Sequence, residues 1–573
     1  MAAQQAYYEQ ANPDLLYRIP VNAGVVLEVG CGAGALGAAY KALNPDAIVV
    51  GLELMVGPAE RARQRLDHVL TVNVEDTPAP ALPAGVGPVD CLVYGDVLEH
   101  LRDPAAVLQQ QLGWLATDGL LLACIPNVQH WSVLANLLAG QWPQLDQGLF
   151  DRTHLRWFTR SSIVELLQGA GLVVHDITPR IFQPQQAQAF LQQLAPALPG
   201  MGIDAEQLLA RLSPLQYVVR AGRRAAPPLL LSGLLMQPQA GMTDVRMLQP
   251  LRSVASSPGV LLELSHQGLQ LQPASSTLPR LLIWQRPLLT AKESLLQLRQ
   301  LLQAGYVVVN EFDDDPNHFP AIAANGHLTF TAVHAVQVST AELAAVIRPH
   351  NPEVAVFENA VDALPALSSN HWPEAGDGQP LRLFFGALNR QADWAPWLEA
   401  LNQLLTANPS GWEVEVVHDQ AFFSGLATAA KRFTPTCDYA TYRKVMASCH
   451  VAFLPLADTP FNRKKSDLKL VEAASHGLAV LASPVVYGPL LADGRMGQLF
   501  ASNEELITTL QRWRAHPDEA QQLGIIGHQW VGQQRLQRLQ SERRLAWYQQ
   551  LWQRREELNA ALLARVPELA TGA

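Results

Sequence analysis

The stretch VVLEVGCGAG, residues 25–34, decides the fold of the N-terminal part of this chain. Its first five residues are apolar except for Glu28, and a short apolar run ahead of a turn predicts a buried strand. The glycines at positions 30, 32 and 34 permit a tight turn and a close approach of the backbone to a ligand. A helical stretch follows, so the segment predicts a strand, a glycine loop and a helix, the setting of a nucleoside-binding loop.

Three acidic residues around this loop favour a particular kind of ligand. Glu28 lies two residues before the first glycine, where its carboxylate can meet a cationic amino-acid group. Glu53 ends the next predicted strand, residues 48–52, and is placed to accept hydrogen bonds from both ribose hydroxyls. Asp96 follows a further predicted strand. Residues 32–37 also fit the dinucleotide fingerprint GxGxxG, so an NAD-dependent oxidoreductase and a plain turn without a ligand both stay open.

The bulk composition bounds the class of protein. The 573 residues suffice for about three to five domain-sized units, and 49% hydrophobic against 16% charged residues gives no case for global disorder. A formal net charge of -10 argues against a basic nucleic-acid binder, so we expect no nucleic-acid partner. Five cysteines without a CxxC pair predict neither a disulfide framework nor a zinc site. We therefore expect no metal and a reducing, cytoplasmic location.

Neither a targeting segment nor a membrane span is expected. Residues 1–16 lack the basic region and the apolar core of a signal peptide. The longest apolar runs, such as residues 229–236, fall far short of the about 20 residues that span a bilayer.

Short apolar runs alternate with helical stretches in three successive series, which predicts an α/β protein built from parallel βαβ units. A basic joint that contains proline, residues 220–228, separates the first series from the second, and a polar stretch, residues 365–380, separates the second from the third. The two later series are interpreted as two similar Rossmann-like halves. The predicted domains are residues 1–222, 229–365, 378–516 and, as a C-terminal helical segment, 517–573.

Five motifs of the first series carry a family resemblance. LEVGCGAG, GLEL, YGDVLEHLRDP, CIPNV and DRTHLRWFT together resemble class I S-adenosylmethionine (SAM)-dependent methyltransferases, most closely the branch found in polysaccharide and small-molecule biosynthesis. The resemblance covers roughly residues 20–180. It implies a Rossmann-like domain with SAM as cofactor. In that case Glu53 would bind the ribose of SAM, and Asp96 would lie near its methionine end. The residues that would line the methionine part are Glu28, Gly30, Gly32 and Gly34.

One residue departs from that family pattern. Asn73 stands where the family usually has an aspartate that contacts the adenine amine. The carbonyl oxygen of an asparagine can still accept that hydrogen bond, so Asn73 stays among the expected cofactor-binding residues.

Methyl transfer to a hydroxyl benefits from a general base, because the sulfonium is already activated and the acceptor is not. His100, His130 and His154 are the candidates, with Asp151 as an orienting carboxylate. His154 leads because Asp151-Arg152-Thr153-His154 is a polar cluster just ahead of two aromatic residues. The alternative for each histidine is a purely structural role.

The second region contains two charged segments. An acidic triplet, Asp313–Asp315, follows a predicted strand at the end where open α/β sheets bind ligands, with a solvated turn as the alternative. Four cations between positions 463 and 469 precede and enter a helix that also carries Glu472. Cations at a helix N-terminus can hold a diphosphate, and the alternative is an exposed basic helix face.

These later series resemble glycosyltransferases of the two-Rossmann GT-B fold, through STAELAAVI, VAVFENAVD, FFGALNR and KSDLKLVEAASHGLAVLAS, over about residues 229–515. The resemblance implies a nucleotide-sugar donor that needs no metal. It places Glu472 on the donor ribose, and Arg390, Lys465 and Lys469 are our candidates for the diphosphate. Lys464 stands where many retaining relatives carry a glutamate, so retaining and inverting transfer both stay open.

The tail, residues 533–566, has apolar residues at three- and four-residue spacing, which predicts an amphipathic helix. We expect it to pack back on the second region, with a partner-binding or membrane-surface helix as the alternative.

The whole chain is interpreted as a bifunctional cytoplasmic enzyme. We expect it to methylate a sugar hydroxyl and to transfer a sugar to a glycan or glycoconjugate acceptor. A methyltransferase with a non-catalytic glycan-binding scaffold, and a lipid, peptide or metabolite acceptor, are the alternatives. The oligomeric state is left open.

Overall fold

The computed structural model describes residues 11–77, 80–236, 241–273, 275–290, 293–367, 372–374 and 376–570. Most of the stretch that was tested for a signal peptide therefore lies outside the described residues. The chain divides into two compact units. The first unit comprises Met1–Pro228 with Ala255–Leu261, and the second comprises Leu229–Val254 with Leu262–Ala573.

A seven-stranded sheet with the order β3-β2-β1-β4-β5-β7-β6 forms the centre of the first unit. Its strands pair in parallel except for β7, which runs antiparallel to both of its neighbours. The central strands are mostly apolar and buried, as expected for parallel strands covered on both faces. The strands are β1 (Val25–Val29), β2 (Ile48–Glu53), β3 (His68–Thr71), β4 (Val89–Gly95), β5 (Leu115–Pro126), β6 (Val173–Arg180) and β7 (Gln216–Gly222).

The helices of the first unit follow the strands in alternation, as predicted. Short 3-10 turns at Leu98–His100 and Leu112–Trp114 add to them. The α-helices are α1 (Pro13–Leu16), α2 (Ala35–Leu43), α3 (Val56–Ala62), α4 (Pro104–Gln111), α5 (Trp131–Leu138), α6 (Arg160–Gly169), α7 (Pro184–Leu194), α8 (Leu198–Met201) and α9 (Ala205–Leu212).

The order of the first sheet reverses between β1 and β4, so the loops after these two strands meet at a topological switch point. Open α/β sheets bind ligands in the crevice at such a point. The joint predicted at residues 220–228 begins too early, because Arg220 lies inside β7. Its guanidinium is only 2% exposed and pairs with Asp176 at 2.8 Å.

Two six-stranded sheets form the second unit. The first has the order β13-β12-β11-β10-β8-β9, and the second has the order β16-β15-β14-β17-β18-β19, which is the order of a Rossmann sheet. The strands are β8 (Leu229–Leu234), β9 (Val260–Ser265), β10 (Arg280–Gln285), β11 (Val307–Glu311), β12 (Ala335–Val338), β13 (Val354–Val356), β14 (Leu381–Gly386), β15 (Trp412–Val417), β16 (Lys431–Thr434), β17 (Val451–Leu454), β18 (Ala479–Ala482) and β19 (Gly497–Leu499).

Helices connect these parallel strands, with a π-helical turn at Asp244–Leu248 and 3-10 turns at Pro316–His318, Asn462–Lys464 and Pro567–Leu569. The predicted α/β class, with one Rossmann-like domain followed by two Rossmann-like halves, is confirmed. The α-helices are α10 (Gln249–Ala255), α11 (Glu293–Gln303), α12 (Pro320–Ala324), α13 (Leu328–Thr331), α14 (Ala341–Ile347), α15 (Gln391–Ala407), α16 (Gln420–Gly425), α17 (Tyr439–Ala447), α18 (Leu468–Ser475), α19 (Pro484–Leu491), α20 (Asn503–Ala515), α21 (Pro517–Gln534), α22 (Arg538–Gln553) and α23 (Arg555–Arg565).

The predicted tail helix is interrupted. The backbone of Val361 pairs with residues 535–537, donating to the Arg535 carbonyl and accepting from the Gln537 N–H, each at 2.9 Å, so α21 ends before this bridge. Leu562 and Val566 pack into the apolar core beside the β8–β13 sheet, which accounts for the amphipathic pattern at the end of the tail. Among the described residues no helix is both long and apolar enough to cross a membrane.

Candidate active sites

The glycine loop of the first unit joins β1 to α2 at the switch point. Gly30, Gly32 and Gly34 all have positive φ, at 68°, 54° and 77°. A Cβ on Gly30 would lie 2.6 Å from the Val97 Cγ2, so a side chain there meets both backbone strain and a clash. Gly30 is exposed at the crevice while residues 31–34 are buried, so the glycines form a tight turn, as predicted from the sequence.

Glu53 holds this loop in place. One carboxylate oxygen, Oε2, accepts a hydrogen bond from the Gly32 N–H, and Oε1 accepts one from the Met55 N–H, both at 2.8 Å. Glu53 lies at the end of β2, directly beside the loop, because Val29 of β1 is in register with Leu52. A carboxylate has about four acceptor sites, so these two bonds leave room for ribose hydroxyls.

Glu28 is buried at the base of the same loop. Burial, reinforced by the nearby charge of Glu53, raises its pKa to about 8, against the opposing effect of the Gly37 backbone N–H. Among the described residues, its Oε2 atom has no hydrogen-bond partner. A cation at this position would favour the ionised form of Glu28.

The two remaining predicted cofactor residues follow β3 and β4. Asn73 bonds within its own turn, where its amide donates to Asp76 Oδ1 at 3.0 Å and its carbonyl oxygen accepts from the Glu75 N–H at 3.2 Å. Asp96 has a left-handed backbone with φ of 54° and accepts a hydrogen bond from the Gln216 side chain. Register places Asp96 next to the glycine loop and Asn73 farther along the same sheet edge.

Two of the three candidate histidines come together. The ring centroids of His100 and His154 lie 4.8 Å apart. Among the candidate histidines, Asp151 is linked to His100, because its Oδ1 accepts from the Thr153 hydroxyl at 2.6 Å and that hydroxyl lies 3.0 Å from His100 Nδ1. Burial, followed by the nearby His100, lowers the pKa of His154, so a neutral imidazole is favoured there.

The third candidate, His130, caps a helix. It begins helix α5, where its Nδ1 lies 2.8 Å from the Ser132 hydroxyl. Burial lowers its pKa to about 4. Helix α5 also stands between β5 and the Asp151–His154 segment.

Sequence reasoning missed Glu99, which lies beside the histidine pair. Its side chain is 1% exposed, and one ligand atom each of Glu99, His100 and His154 lie within 4.8 Å of one another. Burial, then the charges of Asp96 and Asp151, raise the pKa of Glu99. The signal was its place beside His100 in the turn after β4.

In the second unit, Lys469 and Glu472 form a compact cluster on α18. The Lys469 ammonium donates to the Tyr442 hydroxyl at 2.8 Å and to Glu472 Oε2 at 3.2 Å. Glu472 is 2% exposed, whereas the side chain of Lys469 is 38% exposed, so the alternative of an exposed basic helix face stays open for Lys469. The ring of His418 stacks on Tyr442 beside this cluster.

Arg390 and Lys465 lie on two loops at the same end of the β14–β19 sheet. Arg390 follows β14 and contacts Asp393 and Asn462 at 3.4 and 3.2 Å. Burial, followed by the charge of Arg390, lowers the pKa of Lys465, which indicates that the two cations are close. A bound polyanion would relieve this repulsion.

The acidic triplet faces these cations. Lys464 forms an ion pair with Asp315, and Lys465 lies 3.8 Å from Asp314. Asp313 pairs with Arg286 at 2.6 Å. The solvated-turn alternative for the triplet is therefore wrong, and Lys464 pairs with a residue of the other sheet's half of the second unit.

Comparisons with known proteins agree with this division. Residues 3–177 match the model of a methyltransferase domain, and residues 390–546 match the model of a glycosyl transferase-like domain.

Curated relatives match the first region. An uncharacterised 37.1 kDa protein of transposon TN4556 from Streptomyces fradiae is 34% identical over 173 residues, which are 28% of this chain and 47% of that protein. A ubiquinone biosynthesis O-methyltransferase of Cereibacter sphaeroides is 26% identical over 174 residues, 30% of this chain and 69% of that enzyme. The chain thus spans about half the length of the Streptomyces protein.

Solved structures match both regions. An O-methyltransferase of neocarzinostatin biosynthesis has 18% identity and a TM-score of 0.26, over 39% of this chain and 56% of that one. A glycosyltransferase of lipopolysaccharide biosynthesis has 15% identity and a TM-score of 0.38, over 55% of this chain and 98% of that one. From the family models, the chain is an enzyme with a methyltransferase domain at its N-terminus and a glycosyltransferase-like domain toward its C-terminus.

Proposed function

We propose that the chain is a bifunctional cytoplasmic enzyme of glycan or glycoconjugate assembly. The methyltransferase domain would transfer a methyl group from SAM to a hydroxyl of the acceptor. The glycosyltransferase-like region would transfer a glycosyl group from a nucleotide sugar. The two domain matches on one chain support action on a common product.

The loop between β1 and α2 carries the SAM part of the proposal. Glu53 fixes the loop through two hydrogen bonds at 2.8 Å and keeps acceptor capacity for a ribose. Glu28 lies buried beneath the loop with an unpartnered oxygen among the described residues, where the ammonium of a methionine moiety would supply its missing partner.

The acceptor side supports transfer to oxygen. His100 and His154 lie after β4 and before α6, on the side of the switch point away from the Glu53 end, as an acceptor base would need. Trp142 and Trp157 pack edge to face at 5.8 Å and are 41% and 50% exposed, so they offer aromatic faces on which a sugar ring can lie. The name of the ubiquinone O-methyltransferases also favours a hydroxyl acceptor.

The donor side rests on α18 and its neighbours. Glu472 would bind the ribose hydroxyls, while Arg390, Lys465 and Lys469 would bind the diphosphate. Cations and a helix terminus can stabilise a leaving diphosphate without a metal. Lys464 occupies a position where many retaining relatives carry a glutamate, and it is paired with Asp315. This pairing favours a second candidate function, a glycan-binding module without transfer activity.

Titration calorimetry of the full chain with SAM tests the first activity. Glu53→Gln should weaken SAM binding by about ten-fold or more, because the new amide would place a donor against one of two backbone N–H donors. Glu60→Gln, on the exposed face of α3, is the matched control and should bind SAM normally. If the wild-type chain does not bind SAM, the methyltransferase proposal is wrong.

Separate titrations with UDP, GDP and dTDP test the second activity. One of the three should bind, and Glu472→Gln should weaken that binding by about ten-fold, because a hydrogen bond to a charged group is worth about 1.5–3 kcal/mol. Lys444→Ala, an exposed cation on α17, serves as the control for Lys469→Ala. If a nucleotide binds but no sugar transfer or nucleotide-sugar hydrolysis is detectable, the glycan-binding module is the better description.

A further inference from the structure

Three side chains with metal-binding chemistry converge in the first unit. Glu99, His100 and His154 each offer one ligand atom, and these atoms lie within 4.8 Å of one another. The residues come from two segments, the turn after β4 and the segment that leads into α6. The Glu99 carbonyl ties the segments together by accepting hydrogen bonds from the Leu155 and Arg156 N–H groups, at 2.8 and 3.0 Å.

The hydrogen bonds around His100 leave one ring nitrogen available to a metal. The Thr153 hydroxyl donates its hydrogen to Asp151 Oδ1, so it accepts at His100 Nδ1, where the Thr153 carbonyl also lies at 3.2 Å. Nδ1 therefore carries the hydrogen, and Nε2 keeps its lone pair. Metal-bound histidines are oriented in this way, with the other ring nitrogen donating to a carbonyl or carboxylate chain.

His154 and Glu99 fit the same scheme. His154 offers one ring nitrogen to the same group of ligand atoms. The Glu99 side chain is 1% exposed, and its Oε2 atom has no hydrogen-bond partner in the described part of the chain. A buried carboxylate oxygen without a partner is costly, and a cation beside it would remove that cost.

We propose that Glu99, His100 and His154 bind a divalent transition-metal ion, of the zinc or manganese class, beside the acceptor position of the methyltransferase domain. Two imidazoles and one carboxylate favour such an ion over magnesium or calcium, which prefer oxygen ligands. Three protein ligands leave a coordination position open, as in catalytic zinc sites. Ligand atoms around such an ion lie about 3.3 Å apart, so side-chain rotations of about 1 Å complete the site.

The open position gives the ion a role that rests on the proposed methyl transfer and that replaces the base role of His100 and His154, whose free ring nitrogens would bind the ion. A hydroxyl of the acceptor that binds there has its pKa lowered and loses its proton to solvent. The resulting oxygen forms a bond to the methyl carbon of SAM as the carbon–sulfur bond breaks, which yields the methyl ether and S-adenosylhomocysteine. The sequence argument against a zinc site rested on cysteine spacing alone and did not address this ligand set.

Metal binding to the full chain tests the site without any activity assay. Chelator-treated protein is titrated calorimetrically with Zn²⁺, Mn²⁺ and Mg²⁺ separately, and bound metal is counted by elemental analysis after dialysis. We expect one ion per chain, with Zn²⁺ or Mn²⁺ at least about ten-fold tighter than Mg²⁺. Glu99→Gln and His154→Asn should each weaken binding by at least about ten-fold. His68→Gln, on β3, is the control and should keep the ion.

Two results would overturn the site: no tight ion in the wild-type chain, or undiminished binding in both Glu99→Gln and His154→Asn. SAM titrations of the same proteins separate this proposal from the proposed function. If SAM binds and the ion does not, the metal site is wrong and the methyltransferase stands. If the ion binds and SAM does not, the metal site stands and the proposed methyl transfer is wrong.

Discussion

Glu28 carries a carboxyl group into the interior of the first unit, where its pKa rises to about 8. Its ionised form is therefore disfavoured at neutral pH unless a cation lies beside it. An unfolded glutamate titrates near pH 4.3, so the folded chain holds one more proton than the unfolded chain over the interval between these values. The free energy of unfolding contributed by Glu28 is then fully present below about pH 4.3 and is lost as the pH rises toward about 8.

This pH dependence is the first prediction. The SAM-free protein should lose a few kcal/mol of stability from this one group between about pH 5 and about pH 8, at about 1.4 kcal/mol per pKa unit. Glu28→Gln keeps the shape and cannot ionise, so its unfolding free energy should fall less over this range. Parallel denaturant unfolding of both proteins at several pH values measures the difference, and equal slopes would contradict the buried, protonated state.

The same residue predicts proton release when SAM binds. If the ammonium of SAM pairs with Glu28, the pKa of Glu28 falls and up to one proton leaves the protein at neutral pH. The heat of SAM binding should therefore differ between buffers of high and low ionisation enthalpy. In Glu28→Gln the two buffers should give equal heats. A wild-type heat that is independent of the buffer would place the ammonium elsewhere.

Gly30 tests the loop backbone itself. Gly30→Ala places a Cβ at a φ of 68° and 2.6 Å from Val97 Cγ2, so we expect a loss of about 1–3 kcal/mol in the stability of the first unit and weaker SAM binding. Gly57→Ala is the matched control, because no heavy atom of the described residues lies within 4 Å of the added Cβ and Gly57 lies inside α3. Alanine there should be neutral or stabilising by up to about 1 kcal/mol. Thermal unfolding and SAM titration of both variants check the contrast.

At the scale of elements, the acidic loop after β11 would compete with a bound diphosphate for the cations of the loop before α18. Asp314 lies 3.8 Å from Lys465, one of the cations assigned to the diphosphate. Asp314→Asn should therefore strengthen nucleoside diphosphate binding by about two- to five-fold, the amount expected from a partly exposed ion pair. Asp458→Asn removes an exposed partner of Arg463 and should change little. Weaker binding in Asp314→Asn would mean that the acidic loop contacts the donor favourably.

The sequence predicted features that are encoded in a few consecutive residues, and it missed those that depend on contacts between distant segments. The strand at residues 25–29 and its glycine loop were readable because burial and backbone conformation are encoded within ten consecutive residues. The contact of Asp151 with His100 through Thr153 joins segments more than 50 residues apart, and Lys464 meets Asp315 across 149 residues. No periodicity reports such pairs, so the sequence could not say which histidine Asp151 contacts, and Glu99 was missed.

At the scale of the whole molecule, the two compact units have separate apolar cores. The first core surrounds the β1–β7 sheet, and the cores of the second unit surround the β10–β13 and β14–β19 sheets. A ligand that binds only the folded form of one unit stabilises that unit by about 2.7 kcal/mol at a hundred-fold excess over its Kd. That energy corresponds to a rise in Tm of about 5 °C for the first unit and about 4 °C for the larger second unit.

Scanning calorimetry of the full chain should therefore resolve the two proposed activities. SAM should raise the Tm of one transition, and the nucleoside diphosphate that binds should raise the Tm of another, because each ligand contacts side chains of one unit alone. Glu53→Gln should lose most of the shift caused by SAM and keep the shift caused by the nucleotide, while Glu472→Gln should do the reverse. If both ligands move the same single transition in the wild-type chain, the two units unfold as one cooperative body, and binding at either site would then stabilise the other.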